Sequence, residues 1–243
     1  MPGPLKTEAI VLRSIRYGEA DRILHLYTPH RGRISAIAKG VRKTRSRFGG
    51  RLEPFFRLNL VLHEGRSDLL TVTSVETLAA HGHLRNDGPA LDAAARACDA
   101  VGRLFDTNEA NPPVYNLLCN QLALLDVGSP GPSHATHANQ LAFRLKLLLA
   151  AGIAPQLAAC ASCGEAEHLV GFSGAAGGVV CPACEAGAFP LDAEAHEFLT
   201  LAMGSPLADV PAASGRVLRQ AERAIAETVE HHVHTRLMPA VAG

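Results

Sequence analysis

The chain has 243 residues, 47% apolar and 19% charged, with 23 basic against 23 acidic side chains. That composition excludes a disordered chain and a collagen-like fibre, and no run reaches the roughly 18 apolar residues of a membrane span. Met1-Pro2-Gly3-Pro4 does not open a charged-then-apolar secretory signal, so an intracellular protein is expected.

The zero net charge hides a division. Positions 1–80 hold 14 Lys and Arg against 7 acids, a balance of +7, and positions 81–243 carry 9 against 16, or −7. Unless both are merely solvated surfaces, a basic third joined to an acidic remainder points to two modules, the basic one meeting a polyanion.

The segment 1–80 reads as strands. Ala9–Ile15 is rich in β-formers, Arg22–Tyr27 alternates before a turn at Thr28-Pro29-His30-Arg31-Gly32, and Arg33–Lys39 alternates again. Phe55–Leu62 and Leu69–Leu78 complete five short strands, separated by Glu64-Gly65-Arg66-Ser67-Asp68. Five strands without a helix fit a small closed Greek-key barrel of the OB type, with an SH3-like barrel as the rival.

From residue 86 the period becomes helical. Asn86-Asp87-Gly88-Pro89 signals a helix entry, followed by Leu91, Ala94, Cys98, Val101 and Phe105 on one face. Pro112-Pro113 opens a second helix that Gly128–Pro132 ends, and a third runs from about Ala138 to Ala151 with Gly152 as its C-terminal cap. Asp192 can cap a helix through Met203, and Ser214 can cap a long one from Gly215 to Met238, stopped by Pro239. The expected class is therefore α+β and multi-domain: an all-β OB-fold barrel at 1–80, then a helical domain at 81–243 interrupted by a cysteine-rich insertion at about 156–190.

That insertion holds Cys160-Ala-Ser-Cys163 and Cys181-Pro-Ala-Cys184, two C-x2-C pairs joined by the stretch Gly164–Val180. The spacing suits a four-thiolate zinc site: each pair aims two sulfurs at one ion, and two pairs complete a tetrahedron. Disulfides are disfavoured without a secretory signal, and a thioredoxin-type centre needs one pair at a strand-to-helix junction, not two. Four thiolates close the coordination shell, so a single structural Zn2+ is expected, holding a loop too polar to build its own core. Cys98 and Cys119 lie on apolar helical faces and read as small hydrophobes.

No catalytic set emerges. His196-Glu197 begins like a zincin helix, but Thr200 stands where the second His belongs, and no Walker-type glycine loop exists. His231, His232 and His234 read as a solvated helix end. The basic run says more: Lys39, Arg42, Lys43, Arg45, Arg47 and Arg51 follow one another closely with no acid among them. With Arg31 and Arg33 on the neighbouring strand they form the candidate nucleic-acid surface, neutralising phosphates and releasing counterions. Tyr17, Tyr27, Phe48, Phe55 and Phe56 supply rings of which one or two can stack on bases. An RNA-binding barrel and zinc ribbon of translation or transcription is the alternative.

The ordered pattern Gly18-Glu19-Ala-Asp21-Arg22-Ile23, Leu26-Tyr27-Thr28-x-x-x-Gly32-Arg33 and Ala38-Lys39-Gly40-Val41-Arg42-Lys43 resembles the N-terminal barrel of the RecO family of bacterial recombination-repair mediators. The resemblance extends through the helical part and the placement of the four cysteines. It implies a non-catalytic protein that binds single- and double-stranded DNA and anneals complementary strands. With RecR it would help load RecA onto strands coated by single-strand-binding protein (SSB), whose acidic C-terminal tail it contacts, with a functional link to RecF. Arg144 or Lys146, beside the Leu141/Leu145 face, is the expected contact for that tail. The implied location is the cytoplasm, associated with the nucleoid and not with a membrane.

Overall fold

Alternation with a period of two builds the first half of the molecule. The computed structural model describes residues 4–43, 46, 48–65, 69–128 and 133–241. Strand β1 (Leu5–Tyr17) pairs antiparallel with β2 (Asp21–Thr28), which pairs with β3 (Gly32–Ala38). On its other edge β1 takes β4 (Arg57–His63), which pairs with β5 (Leu70–Ala79). A short parallel contact, Ala36 beside Leu70 and Ile37 beside Thr71, joins β3 to β5 and closes the barrel in the order β1-β2-β3-β5-β4. Closure leaves no edge open to another chain. The order is that of the OB fold, which settles the choice between the two expected barrels.

Inward-facing residues fill the barrel: Ala9 and Val11, Leu24 and Leu26, Ile34 and Ala36, Leu58, Leu60 and Leu62, and Val72. Phe48, Leu52 and Phe56 from the β3–β4 connection join the same core. The basic run is thus anchored by apolar side chains at its end, although Lys39, Arg42, Lys43 and Arg51 face solvent.

Helix α1 (Gly88–Leu104) starts where the sequence indicates, with the Asp87 carboxylate accepting the Ala90 N–H at 3.0 Å. Helix α2 (Pro112–Leu125) is capped in the same way by Asn111. Residues 1–131 pack as one compact unit and residues 132–243 as another, so α1 and α2 group with the barrel. Tyr27 packs edge-on against Phe105 at 6.3 Å, and burial pushes its phenol up to about 12.

One polar cluster fastens α2 to the barrel wall. Glu8 Oε2 accepts from Arg57 Nη2 at 2.7 Å, from Arg57 Nε at 3.1 Å and from the Tyr115 hydroxyl at 3.0 Å. The Arg57 guanidinium, helped by Tyr115, holds the Glu8 carboxyl below its ordinary value against the opposing effect of burial. A carboxylate depressed in the folded state stabilises above the unfolded value and loses that contribution as pH falls through the folded one. Glu8→Gln is therefore expected to lower stability at neutral pH by about 1 kcal/mol or less, given the exposure of the pair. In denaturant titrations the difference from the parent should vanish in acid; a difference independent of pH would contradict the assignment.

In the second unit, α3 (His137–Ala150) is buried on nearly every face and begins at Thr136, whose hydroxyl accepts the Asn139 N–H at 3.1 Å. It ends as expected on Gly152 at φ 74°, with Ile153 N–H bonding back to the Leu148 carbonyl at 2.9 Å. Helices α4 (Ala193–Gly204) and α5 (Gly215–Val233) pack against α3 and against each other. Helix α5 stops at Val233, short of the expected Met238, because His234 turns left-handed at φ 52° and terminates it ahead of Pro239. Among the described residues no helix is long and apolar enough to cross a membrane.

Candidate metal centre and nucleic-acid surface

The cysteine-rich insertion folds as two turns around a small sheet. Cys160 and Cys163 bracket a turn closed by Gly164 N–H on the Cys160 carbonyl at 2.9 Å, with Gly164 at φ 83°. Cys181–Cys184 forms the second, with Cys184 N–H on the Cys181 carbonyl at 3.0 Å. Strands β6 (Gly171–Ser173), β7 (Gly178–Val180) and β8 (Phe189–Pro190) pair in the order β7-β6-β8, and a hairpin links the two turns.

The four sulfurs of Cys160, Cys163, Cys181 and Cys184 lie within 4.8 Å of one another, and Cys163 and Cys181 Sγ are 3.7 Å apart. A tetrahedron with metal–sulfur bonds near about 2.3 Å has edges of about 3.8 Å, so the spacing fits a metal and is too wide for a disulfide. The thiols do not hold their protons alike. Backbone N–H groups of Cys181, Cys163 and Ser162 draw the Cys160 thiol down to about 6, against burial, whereas Cys163 and burial push Cys184 up to about 12. Four thiols this close cannot all ionise unless a cation lies between them.

The insertion is fastened to the helices of its own unit. Arg223 of α5 stacks over the Phe189 ring at 4.1 Å, and His196 Nε2 of α4 lies 2.6 Å from the Leu157 carbonyl. Gln156 forms a parallel bridge with Gly178, exchanging bonds of 2.9 Å with Gly177 and Val179. A Cβ on Gly178 would collide with the Gln156 backbone carbonyl oxygen and lie 2.7 Å from its nitrogen, so only glycine fits. His196, read as the start of a failed zincin motif, is thus a structural contact.

On the barrel, the basic run leaves β3 beside the β1–β2 turn. Gly40 N–H donates to the Asp21 carboxylate at 2.8 Å, Arg42 N–H to the Ala20 carbonyl at 2.9 Å, and Gly40 adopts φ 70°. Lys39, Arg42, Lys43 and Arg51 are exposed. The barrel's ion pairs include Arg22–Glu53, Arg31–Glu64 and Arg57–Glu8, and among the described residues no carboxylate pairs with Lys39, Arg42 or Lys43. Arg51 Nε donates to the Phe48 carbonyl at 2.8 Å. Arg45 and Arg47 lie outside the described residues.

Arg31 and Arg33 sit differently. Arg31 pairs with Glu64 at 2.7 Å, and Arg33 Nη1 donates to the Gly102 carbonyl of α1 at 3.0 Å. Both line a groove of about 890 Å³ that also takes in Ser35, Glu64, Asp106 and Asn108. The composition of residues 31–51 gives no sign of these partners, since Gly102 and Glu64 are remote in sequence. In the second unit, Arg144 is buried and donates to the Met238 carbonyl at 2.5 Å, while Lys146 Nζ donates to the Met203 carbonyl at 2.8 Å. Each of the two cations offered as alternatives for the SSB tail thus donates to a carbonyl of the chain's own backbone.

The chain matches two family models over nearly its whole length: Recombination protein O N terminal over residues 1–81 and Recombination protein O C terminal over residues 85–238. It is 37% identical to the DNA repair protein RecO of Anaeromyxobacter sp. strain Fw109-5 over 249 aligned residues, covering 96% of this chain and 93% of that one. It is 40% identical to the DNA repair protein RecO of Rubrobacter xylanophilus, over 90% of this chain and 88% of that one. The DNA repair protein RecO of Bifidobacterium longum strain DJO10A is 41% identical over 73% of each chain.

Proposed function

Because the chain belongs to the RecO family of DNA repair proteins, we propose that it is a non-catalytic mediator whose barrel binds single- and double-stranded DNA and brings complementary strands together. The observation that supports this reading best is the trio Lys39, Arg42 and Lys43, exposed on one loop and paired with no carboxylate among the described residues. Arg31, Arg33, Arg45, Arg47 and Arg51 complete the proposed DNA contacts, with Arg31 exchanging Glu64 for a phosphate. Fixed cations screen two phosphate backbones from each other, so that bases can search for partners while both strands are held.

The four cysteines bind a single Zn2+ in this reading, with thiolates as soft ligands and a closed shell that leaves no position for substrate. The ion holds the insertion together and takes no part in DNA chemistry. The proposed partners are RecR, the C-terminal tail of SSB and, through the strand-loading step, RecA and RecF, all in the cytoplasm at the nucleoid. The family match favours DNA over the RNA-binding alternative.

The test is annealing of complementary strands coated with SSB, followed with and without RecR. The protein is expected to accelerate annealing without consuming nucleotide, and RecR to shift its action toward loading RecA. No acceleration over SSB-coated strands alone would overturn the proposal.

A further inference from the structure

The fold sorts the five rings of the barrel segment. Tyr27, Phe48 and Phe56 are buried and Phe55 is half-buried, whereas Tyr17 at the end of β1 is 53% exposed. A β-bulge between Val11 and Arg13 reverses the phase of β1, so that Ser14 lies opposite inward-facing Leu24 while Arg13, Ile15 and Tyr17 lie on the outward side of the sheet. Ile15 lies opposite Ile23 of β2, and Ile23 opposite Ile37 of β3, so an apolar row crosses three strands next to Tyr17. Ile15 is 37% exposed and Ile23 half-buried, while Ile37 is buried and closes the row on the β3 side.

Cations border this row on both sides. Arg13 lies opposite His25, which bonds the Ser35 hydroxyl at 3.1 Å; burial, with the charges of Arg33 and Arg13, keeps that imidazole below its ordinary value. Lys39 lies just beyond Ile37 at the end of β3, and the Arg42 N–H bond to Ala20 pins the basic loop against the turn after Tyr17. Asp21, an acid on this side, has one carboxylate oxygen accepting Gly40 N–H.

An exposed ring beside an apolar row, with phosphate-binding cations around it, matches the two chemistries of a single strand: flat base faces and a charged backbone. A duplex hides its base faces within the stack and offers only the backbone to such a surface. We propose that the Tyr17 end of the outward side of β1–β3 is a base-stacking platform for single-stranded DNA, in which Tyr17 stacks on a base, Ile15 and Ile23 support its neighbour, and Arg13, Lys39 and Arg42 hold the flanking phosphates. This rests on the DNA-binding reading above and adds the element that discriminates single strands from duplex.

The test uses the full chain, Tyr17→Ala and Tyr17→Phe, titrated with oligothymidylate and with a mixed-sequence duplex. The chain has no Trp and three Tyr, of which Tyr27 and Tyr115 are buried, so quenching of tyrosine emission by oligothymidylate reports on Tyr17. Tyr17→Ala is expected to bind oligothymidylate about five- to a hundredfold more weakly, the range of one missing base stack. Its duplex affinity should change by less than about twofold, because the cations that hold phosphate remain. Tyr17→Phe should keep wild-type affinity and lose the quench. If Tyr17→Ala binds single strands like the parent, or weakens both forms equally, the platform does not exist. Failure of the underlying reading is distinguishable: charge reversal at Lys39, Arg42 and Lys43 would then leave both affinities unchanged.

Discussion

Reversing the charge of Lys39, Arg42 and Lys43 together is expected to weaken binding of both single- and double-stranded DNA by at least about a hundredfold near physiological salt. Each phosphate left without its cation forfeits on the order of tenfold through counterion release, and the new carboxylates add repulsion. Annealing should fall in parallel, because two backbones can no longer be held side by side. The three side chains are exposed and pair with no carboxylate among the described residues, so the barrel should melt as the parent does. Affinity and annealing at parental levels would place the DNA-binding surface elsewhere on the molecule.

Cys160→Ser is expected to act on folding. Removing one of four ligands abolishes tight binding of the metal and leaves three sulfurs within 4.8 Å of one another that take up protons in place of the ion and no longer tie the two turns together. Loss of a structural metal belongs to the few single changes that cost about 4 kcal/mol or more, so the unfolding transition of residues 132–243 should fall sharply in temperature. A chelator should do the same to the parent, and zinc should reverse it. DNA affinity should fall only modestly. A metal-free preparation with the parent's Tm would overturn the structural role.

Local patterns carried much of this architecture. Alternation in Arg22–Tyr27 and Arg33–Lys39, and caps such as Asp87 and Ser214, are physics between near neighbours, and β2, β3, α1 and α5 begin where those signals lie. The cysteine pairs were equally legible, because two residues between ligands constrain a turn by themselves. What stayed hidden depends on distant partners. Nothing near Arg33 announces the Gly102 carbonyl, nothing near Glu8 announces Tyr115, and the left-handed turn at His234 ends α5 without a glycine to mark it. The rings show the same limit. Tyr17 and Tyr27 look alike along the chain, and only closure of the barrel and the packing of Phe105 decide which of them meets water.

The salt dependence of DNA binding by the parent and by Lys39→Gln/Arg42→Gln/Lys43→Gln measures whether these cations meet phosphate. For a single strand, the plot of log affinity against log salt should become shallower by about 2, three phosphates at roughly 0.7 each. Parallel lines for the two proteins would show that the exposed loop touches no phosphate and that DNA is held by another surface.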